Sequence, residues 1–526
     1  MPISPARRIA FDVLRRVEAE GAYASDLLHA ELAARIKPAD AALATELTMG
    51  VLRWRRLLDF LLDRHLKSSV AKLDLPVALA QRLGLYQLRF LDKIPARAAV
   101  NESVEMVKLA RKSSAAPLVN AVLRRAAAEA TLPAEKFLPP GLAAAERLGI
   151  LYSHPTWMVD RWLVRLGEPA TLALLRANNA PPRLSCAVHG PSQRDVILRA
   201  LESSGARIEP GALFASTFSV RGASPSQSDA FRAGEFSIQD EASQAVPLLL
   251  GVRPGDRVLD LCAAPGGKTP PLARAAGPRG LVVAADLHAH RLAAMRAQLE
   301  RLAIGNVHLV QLDAALPLPF LTVAHDGSAI AVGHRGFDRI LVDAPCSGTG
   351  TLARHPEIRW RLDPAQLGEL HKLQAQILCM ALAQLAPGGR LVYSTCSLEP
   401  EENEAVVNEA ILGLSSSSHA PSSPPSSPPV NSPHAGPADT TSSTSRPRSP
   451  QPHAPSSSIS SLESRASWSP APSVCLLSAG ELSRAVAPYL VATVDPASLF
   501  DSDGAFRTSP AAHHTDGFFA VAFERS

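Results

Sequence analysis

Hydrophobic positions along this chain change period twice, and each period predicts a different kind of element. Behind Ser4-Pro5, which reads as a helix N-cap with proline in the first turn, Ile9, Val13, Leu14 and Val17 recur at helical spacing. Leu57, Leu58, Leu61, Leu62 and Leu66 recur in the same way, and so do Val100, Val104 and Val107 beyond Pro95. Several such helices on short links predict an all-helical bundle over residues 1–145. The pattern then shortens. Arg183–His189 and Phe218-Ser219-Val220 read as strands and Ser192–Ser203 as a helix, a small α+β unit over 150–235.

From about 250 to 412, short apolar runs alternate with helical stretches. The runs are Val258–Leu261, Leu281–Ala285, Val307–Gln311, Ile340–Val342 and Arg390–Tyr393. That order predicts a doubly wound parallel sheet. Phe236–Ser243 leads into its first helix, and residues 321–336 read as an inserted hairpin or loop. Over residues 415–473, 35 of 59 positions are Ser or Pro. Such a stretch has too little apolar surface to offset its chain entropy, so disorder is expected. Order resumes near Val474, and Asp516–Phe523 reads as an antiparallel strand closing the sheet, which makes 236–526 the third unit.

Composition refines this outline. Of 526 residues only 5% are aromatic, while Ala and Leu abound, in keeping with high helix content. The net charge is +4, but residues 1–130 hold 21 Lys and Arg against 14 Asp and Glu. A basic front end suits phosphate, and Arg53, Arg55 and Arg56 are candidates for RNA contacts, or else ordinary surface arginines. The six cysteines are scattered, with no Cys-x-x-Cys pair or Cys/His cluster of the zinc type. No signal-like apolar core follows Met1, and no apolar run reaches membrane-spanning length. A cytoplasmic monomer with reduced thiols, no metal and no membrane contact is the expectation.

The candidate chemistry lies at strand ends. The first strand of the sheet runs into Asp260-Leu261-Cys262-Ala263-Ala264-Pro265-Gly266-Gly267-Lys268-Thr269. Its glycines let backbone approach a ligand closely at the sheet's carboxyl edge. A P-loop needs glycine where this chain has Cys262, which argues against phosphate cradling. Asp286 and Asp313 end the next two strands and are placed for ribose hydroxyls and an adenine amino group. A nucleoside cofactor without strong phosphate recognition points to S-adenosylmethionine.

Two further strands end in Asp343-Ala344-Pro345-Cys346 and Ser394-Thr395-Cys396. C5 of cytosine is a poor nucleophile until a thiolate adds to C6 and makes it enamine-like, a covalent strategy that suits a thiol beside a methyl donor. A free thiol has a pKa of about 8.5, so the attacking cysteine needs surroundings that favour the anion. Asp343 is placed to meet the N3/N4 edge of the ring. Cys186, Cys379 and Cys475 read as small packing residues.

Together these stretches resemble the bacterial 16S rRNA cytosine-C5 methyltransferase B family (RsmB, also called Fmu or Sun). Leu83–Leu88 through Pro95 and Asn101-Glu102-Ser103-Val104 resemble its NusB-like domain. The resemblance implies a Rossmann-like S-adenosylmethionine domain whose cofactor loop is Cys262, Ala263, Ala264, Pro265, Gly266, Gly267 and Lys268, with Asp286, Asp313 and Asp343 as further cofactor acids. It also implies that Cys396 attacks C6 and that Cys346 assists release. Small-subunit rRNA is the implied partner. A tRNA cytosine methyltransferase and a non-catalytic RNA-binding antitermination factor are the alternatives. Where the family often carries Arg-x-Asn in the middle unit, this chain reads Arg183-Leu184-Ser185.

Overall fold

The computed structural model describes residues 3–32, 36–189, 194–222, 224–320, 336–417 and 474–526. The expected loop at 321–336, apart from Gly336, and nearly all of the Ser/Pro-rich segment lie outside the described residues.

The N-terminal helices are α1 (Pro5–Glu20), α2 (Ala24–Leu32), α3 (Pro38–Asp63), α4 (Leu75–Phe90), α5 (Ala96–Leu109) and α6 (Ala116–Glu129). Their apolar stripes face one another: Leu14, Leu47, Leu58, Leu62, Leu83 and Val119 are fully buried in one core. Two more helices follow, α7 (Ala144–Leu151) and α8 (Thr156–Asn179). The sequence pattern missed α8, because Gly167, at φ 75°, and Pro169 break its turn and its periodicity midway.

The middle unit contains β1 (Leu184–Val188), α9 (Arg194–Ser203), β2 (Arg207–Pro210), β3 (Thr217–Arg221), α10 (Asp229–Arg232) and β4 (Phe236–Ile238). Its four antiparallel strands lie in the order β2-β3-β1-β4. Next come α11 (Glu241–Leu249), β5 (Arg257–Leu261), α12 (Thr269–Ala276), β6 (Leu281–Asp286), α13 (Ala289–Arg301), β7 (Val307–Gln311), β8 (Phe337–Asp343), α14 (Ile358–Arg361), α15 (Pro364–Ala383), β9 (Leu385–Thr395) and α16 (Glu404–Ser417). The chain ends with β10 (Val474–Leu476), α17 (Ala479–Val486), β11 (Phe506–Arg507), α18 (Pro510–His513) and β12 (Phe519–Arg525). The large sheet runs β10-β12-β9-β8-β5-β6-β7, with β11 beside β12. Strands β5 to β9 are parallel, and β12 pairs antiparallel with β9 as expected. Helix α16 continues to Ser417, three residues into the segment expected to be disordered.

Both faces of this sheet are covered, so its central strands are apolar throughout. Leu259, Ile340, Val342 and Leu391 face α15 and α16 in one core. Val258, Val282, Leu341 and Val392 face α11 and α12 in the other. The period-2 alternation thus divides one apolar run between two cores. The chain order reverses at β5, between β8 and β6, which opens a ligand crevice at the carboxyl ends there.

Arg53, Arg55 and Arg56, read as candidates for RNA contacts or as ordinary surface arginines, are engaged within the chain instead. They lie against the segment that follows Cys346 and against the start of α8. Arg53 donates to Ala353 O (3.1 Å), and Arg56 donates to His154 O (2.6 Å) and Thr156 Oγ1 (2.8 Å). Arg55 pairs with Glu18 and lies over the Trp360 ring. In return, fully buried Arg359 donates to Ser153 O (3.1 Å), Asn178 O (3.2 Å) and Asn179 Oδ1 (2.9 Å), and Trp360 Nε1 donates to Leu52 O (2.6 Å). Backbone carbonyls at helix ends are natural acceptors, and arginine supplies the donors. Removing those donors leaves several buried carbonyls unpaired. Arg359→Met is therefore expected to lower stability by about 3 kcal/mol or more, measured as a lower melting temperature with faster tryptic cleavage between bundle and sheet.

Candidate active site

The strand ends assemble the site in register. Asp343 of β8 lies opposite Ser394 of β9, and Leu261 of β5 lies opposite Val342. Beyond β5 the chain turns sharply. Cys262 takes φ 60° and Gly266 φ 97°, and a Cβ on Gly266 would lie 2.7 Å from Met295 Cγ. Only glycine allows this turn to pack on α13. The turn is closed by Gly266 N donating to Ala263 O (2.9 Å) and is tied to β6 by Ala263 N donating to Ala285 O (2.8 Å). Asp286 accepts from Ala264 N (3.2 Å) and from His288 N (2.9 Å). Pro265 lies within this turn. Asp313 lies two residues past β7, where its carboxylate accepts from Ala315 N (2.9 Å) and caps its own turn.

Lys268 N-caps α12 and reaches across the switch point to Asp343, Nζ to Oδ2 at 2.6 Å. The other Asp343 oxygen accepts from Ser394 Oγ (2.9 Å). Below the pair, Thr269 donates to Asp260 Oδ2 (2.6 Å), while Asp260 Oδ1 is buried without a partner.

The decisive distance is between the thiols. Cys346 Sγ and Cys396 Sγ, 50 residues apart in sequence, stand 3.3 Å apart. Hydrogen bonding to Cys396 and then burial push the Cys346 thiol well above its ordinary pKa. That favours the thiol form of Cys346, the cysteine expected to assist release rather than to attack. Burial pushes Cys262 up to about 12, so it serves the turn as a packing residue rather than as a nucleophile.

Several residues that hold the thiols went unread in the sequence. Fully buried Glu402 ties both cysteine loops together. Its Oε1 accepts from Ser347 N (2.7 Å) and Gln374 Nε2 (3.0 Å), and its Oε2 accepts from the hydroxyls of Ser347 and Ser397. The signal for this was the Cys-Ser dipeptide occurring twice, at 346–347 and at 396–397. Buried Glu399 fixes the second loop to α8 by accepting from Trp162 Nε1 (3.1 Å) and Arg161 Nε (3.1 Å). Behind Cys396, Gly350 N donates to Cys396 O (2.9 Å) and Gly517 N donates to Gly350 O (2.8 Å). A Cβ on Gly350 would strike Gly517 O at 2.1 Å, so this backbone stack requires glycine.

Residues 247–422 match the family model described as 16S rRNA methyltransferase RsmB/F, and residues 4–128 match the NusB family. The probable ribosomal RNA small subunit methyltransferase B of Bacillus subtilis is 32% identical over 413 residues, 78% of this chain and 89% of that protein. The chain belongs to the RsmB/F family of 16S rRNA methyltransferases. The ribosomal RNA small subunit methyltransferase B of Erwinia tasmaniensis is 34% identical over 405 residues, covering 77% of this chain and 89% of its own. The crystal structure of PH0851 superposes with a TM-score of 0.69 at 22% identity, covering 100% of this chain and 99% of that one, which bears on the fold alone.

Two outcomes follow for this RsmB/F enzyme. Glu402→Gln puts a donor where the network needs an acceptor, so stability should fall by about 1–3 kcal/mol. Turnover should fall with it, measured as methyl transfer per enzyme. Asp260 provides a pH test. Burial, opposed by the Thr269 hydrogen bond, lifts its carboxyl to about 7. The unfolded chain releases that proton near pH ~4. Between about pH 4 and 7 the folded state therefore binds the extra proton, and stability falls as pH rises. Asp260→Asn abolishes that fall, so its gain in melting temperature over wild type should be larger above pH ~7 than at about pH 5.

Proposed function

We propose that this enzyme methylates C5 of a cytosine in 16S rRNA through a covalent adduct between Cys396 and C6. The observation that carries this reading is the 3.3 Å separation of Cys346 and Cys396 at adjoining strand ends, beside the Gly266 turn. Family membership and the names of its relatives supply the rRNA substrate.

S-adenosylmethionine supplies an electrophilic methyl group when bound. The chain's residues fit it: a glycine turn at 266–267 and carboxylates at successive strand ends suit a nucleoside. Asp286, Asp313 and the backbone of 262–267 would hold it, with Lys268 fixing Asp343 at the boundary between donor and base. The target cytosine has to leave its stack to reach the thiols. Cys396 as thiolate adds to C6, and the electron pair of the C5–C6 bond becomes nucleophilic at C5. Once C5 carries the methyl group, loss of its proton to a base restores the double bond and returns the C–S pair to Cys396. Cys346, held as a thiol 3.3 Å away, has a proton for the departing sulfur.

Labelled methyl transfer to 16S rRNA, followed by bisulfite sequencing, tests the reaction. Cys396→Ala should abolish both methylation and adduct. Cys346→Ala should still attack and accumulate a protein–RNA adduct that survives denaturation. The opposite pattern would reverse the two roles, and product located in tRNA alone would overturn the substrate.

A further inference from the structure

The helical bundle sets one aromatic ring against the segment that follows Cys346. Tyr23 lies in the link between α1 and α2, and the segment leading away from Cys346 grips that link. Ala24 N donates to Glu357 Oε1 (3.0 Å), while Arg361 donates to Gly21 O (2.8 Å) and Ala22 O (2.5 Å). The Arg361 guanidinium stands over the Tyr23 ring at 5.7 Å, and His355 meets the ring edge-on at 5.7 Å. Held on these sides, the side chain is still 47% exposed. Among the described residues, Tyr23 and Tyr489 are the exposed large aromatics.

The segment that holds the ring through His355 and Arg361 also backs the thiol site, because its Gly350 N donates to Cys396 O (2.9 Å). Partial burial is the main cause of the raised Tyr23 pKa. Arg361 opposes the rise, and Glu357, Cys396 and Cys346 add to it. A fixed, half-open ring beside a site that takes an extruded base has an evident chemical use. Unstacked bases in single-stranded RNA are held on aromatic faces, with no demand on base identity.

We propose that Tyr23 is a stacking platform for the nucleobase adjoining the target cytosine. The bundle then contributes a substrate contact to a site otherwise built by the methyltransferase sheet. The inference rests on the proposed RNA reaction and adds to it where the flanking nucleotide goes. It also gives the Arg359 and Arg361 docking contacts a function, since a bundle that moved would carry the platform away from the sulfurs.

The test uses the full chain and a fluorescein-labelled, single-stranded, cytosine-containing RNA followed by anisotropy. Tyr23→Ala should weaken RNA affinity about 10-fold and raise KM for RNA more than it lowers kcat. Melting temperature and S-adenosylmethionine affinity should stay at wild-type values. Tyr23→Phe, which keeps the ring, should recover most of what Tyr23→Ala loses. The proposal is overturned if Tyr23→Ala binds RNA as wild type does, if Tyr23→Phe loses as much as Tyr23→Ala, or if the loss comes with a fall in melting temperature. Absence of 5-methylcytosine from wild-type reactions would overturn the proposed reaction, and the anisotropy comparison would still decide Tyr23.

Discussion

The parallel pairing of β8 with β9 is the constraint on which the site depends. Parallel strands end at the same level, so residues just past them meet however far apart they are in the chain. With Asp343 opposite Ser394, Cys346 and Cys396 emerge side by side. The pairing is itself held by burial on both faces: Ile340, Leu341, Val342, Leu391, Val392 and Tyr393 are all fully buried. A slip of one residue would exchange the two cores and separate the sulfurs. Register in this sheet is thus a hydrophobic matter with a chemical consequence.

Strand register brings the loops together but does not hold them still. That task falls to buried polar groups, which are costly unless every one is partnered. Glu402 meets the condition with four donors from three residues on two loops and one helix. The bundle meets it only in part: arginines donate to carbonyls across the seam, while the Nε atoms of Arg53 and Arg359 are buried without a partner. An arginine that faces carbonyls makes several directional bonds without needing a buried carboxylate for each, so the seam is specific in geometry. The result is one continuous support running from α3 through the 353–361 segment to the backbone behind Cys396.

Much of this was legible in the sequence because it is local. Short apolar runs gave β5, β6, β8 and β9, since strands buried on both faces must be largely apolar, and edge strand β7 was legible from Val307, Leu309 and Val310 although its other positions are exposed. The glycine turn and the two strand-end cysteines were legible for the same reason: each motif's chemistry is contained within a few residues. Long-range facts were not. Arg53, Arg55 and Arg56 look the same on a surface as in a seam, because a run of charge does not say what lies opposite. Glu402 follows Glu399 and Glu401 in an acidic stretch that reads as solvated, and only the fold shows that 399 and 402 point inward while Arg161 pairs with 401 at the edge. Strands β2, β4, β10 and β11, of two to four residues, are too short to show a period.

The closeness of the two sulfurs has its own logic within the proposed reaction. A single cysteine would have to be a good nucleophile when it attacks and a good leaving group when it departs, with its proton managed by solvent. At 3.3 Å a second thiol divides that work. In the proposed reaction, the proximity that raises Cys346 above its ordinary pKa favours its thiol form beside Cys396. Attack then needs an anion on one sulfur only, because two thiolates at that distance would repel each other strongly in a buried site. Departure is helped by a proton already in place. In that reading the pair would act as one acid–base unit, and Glu402 fixes the serine beside each cysteine.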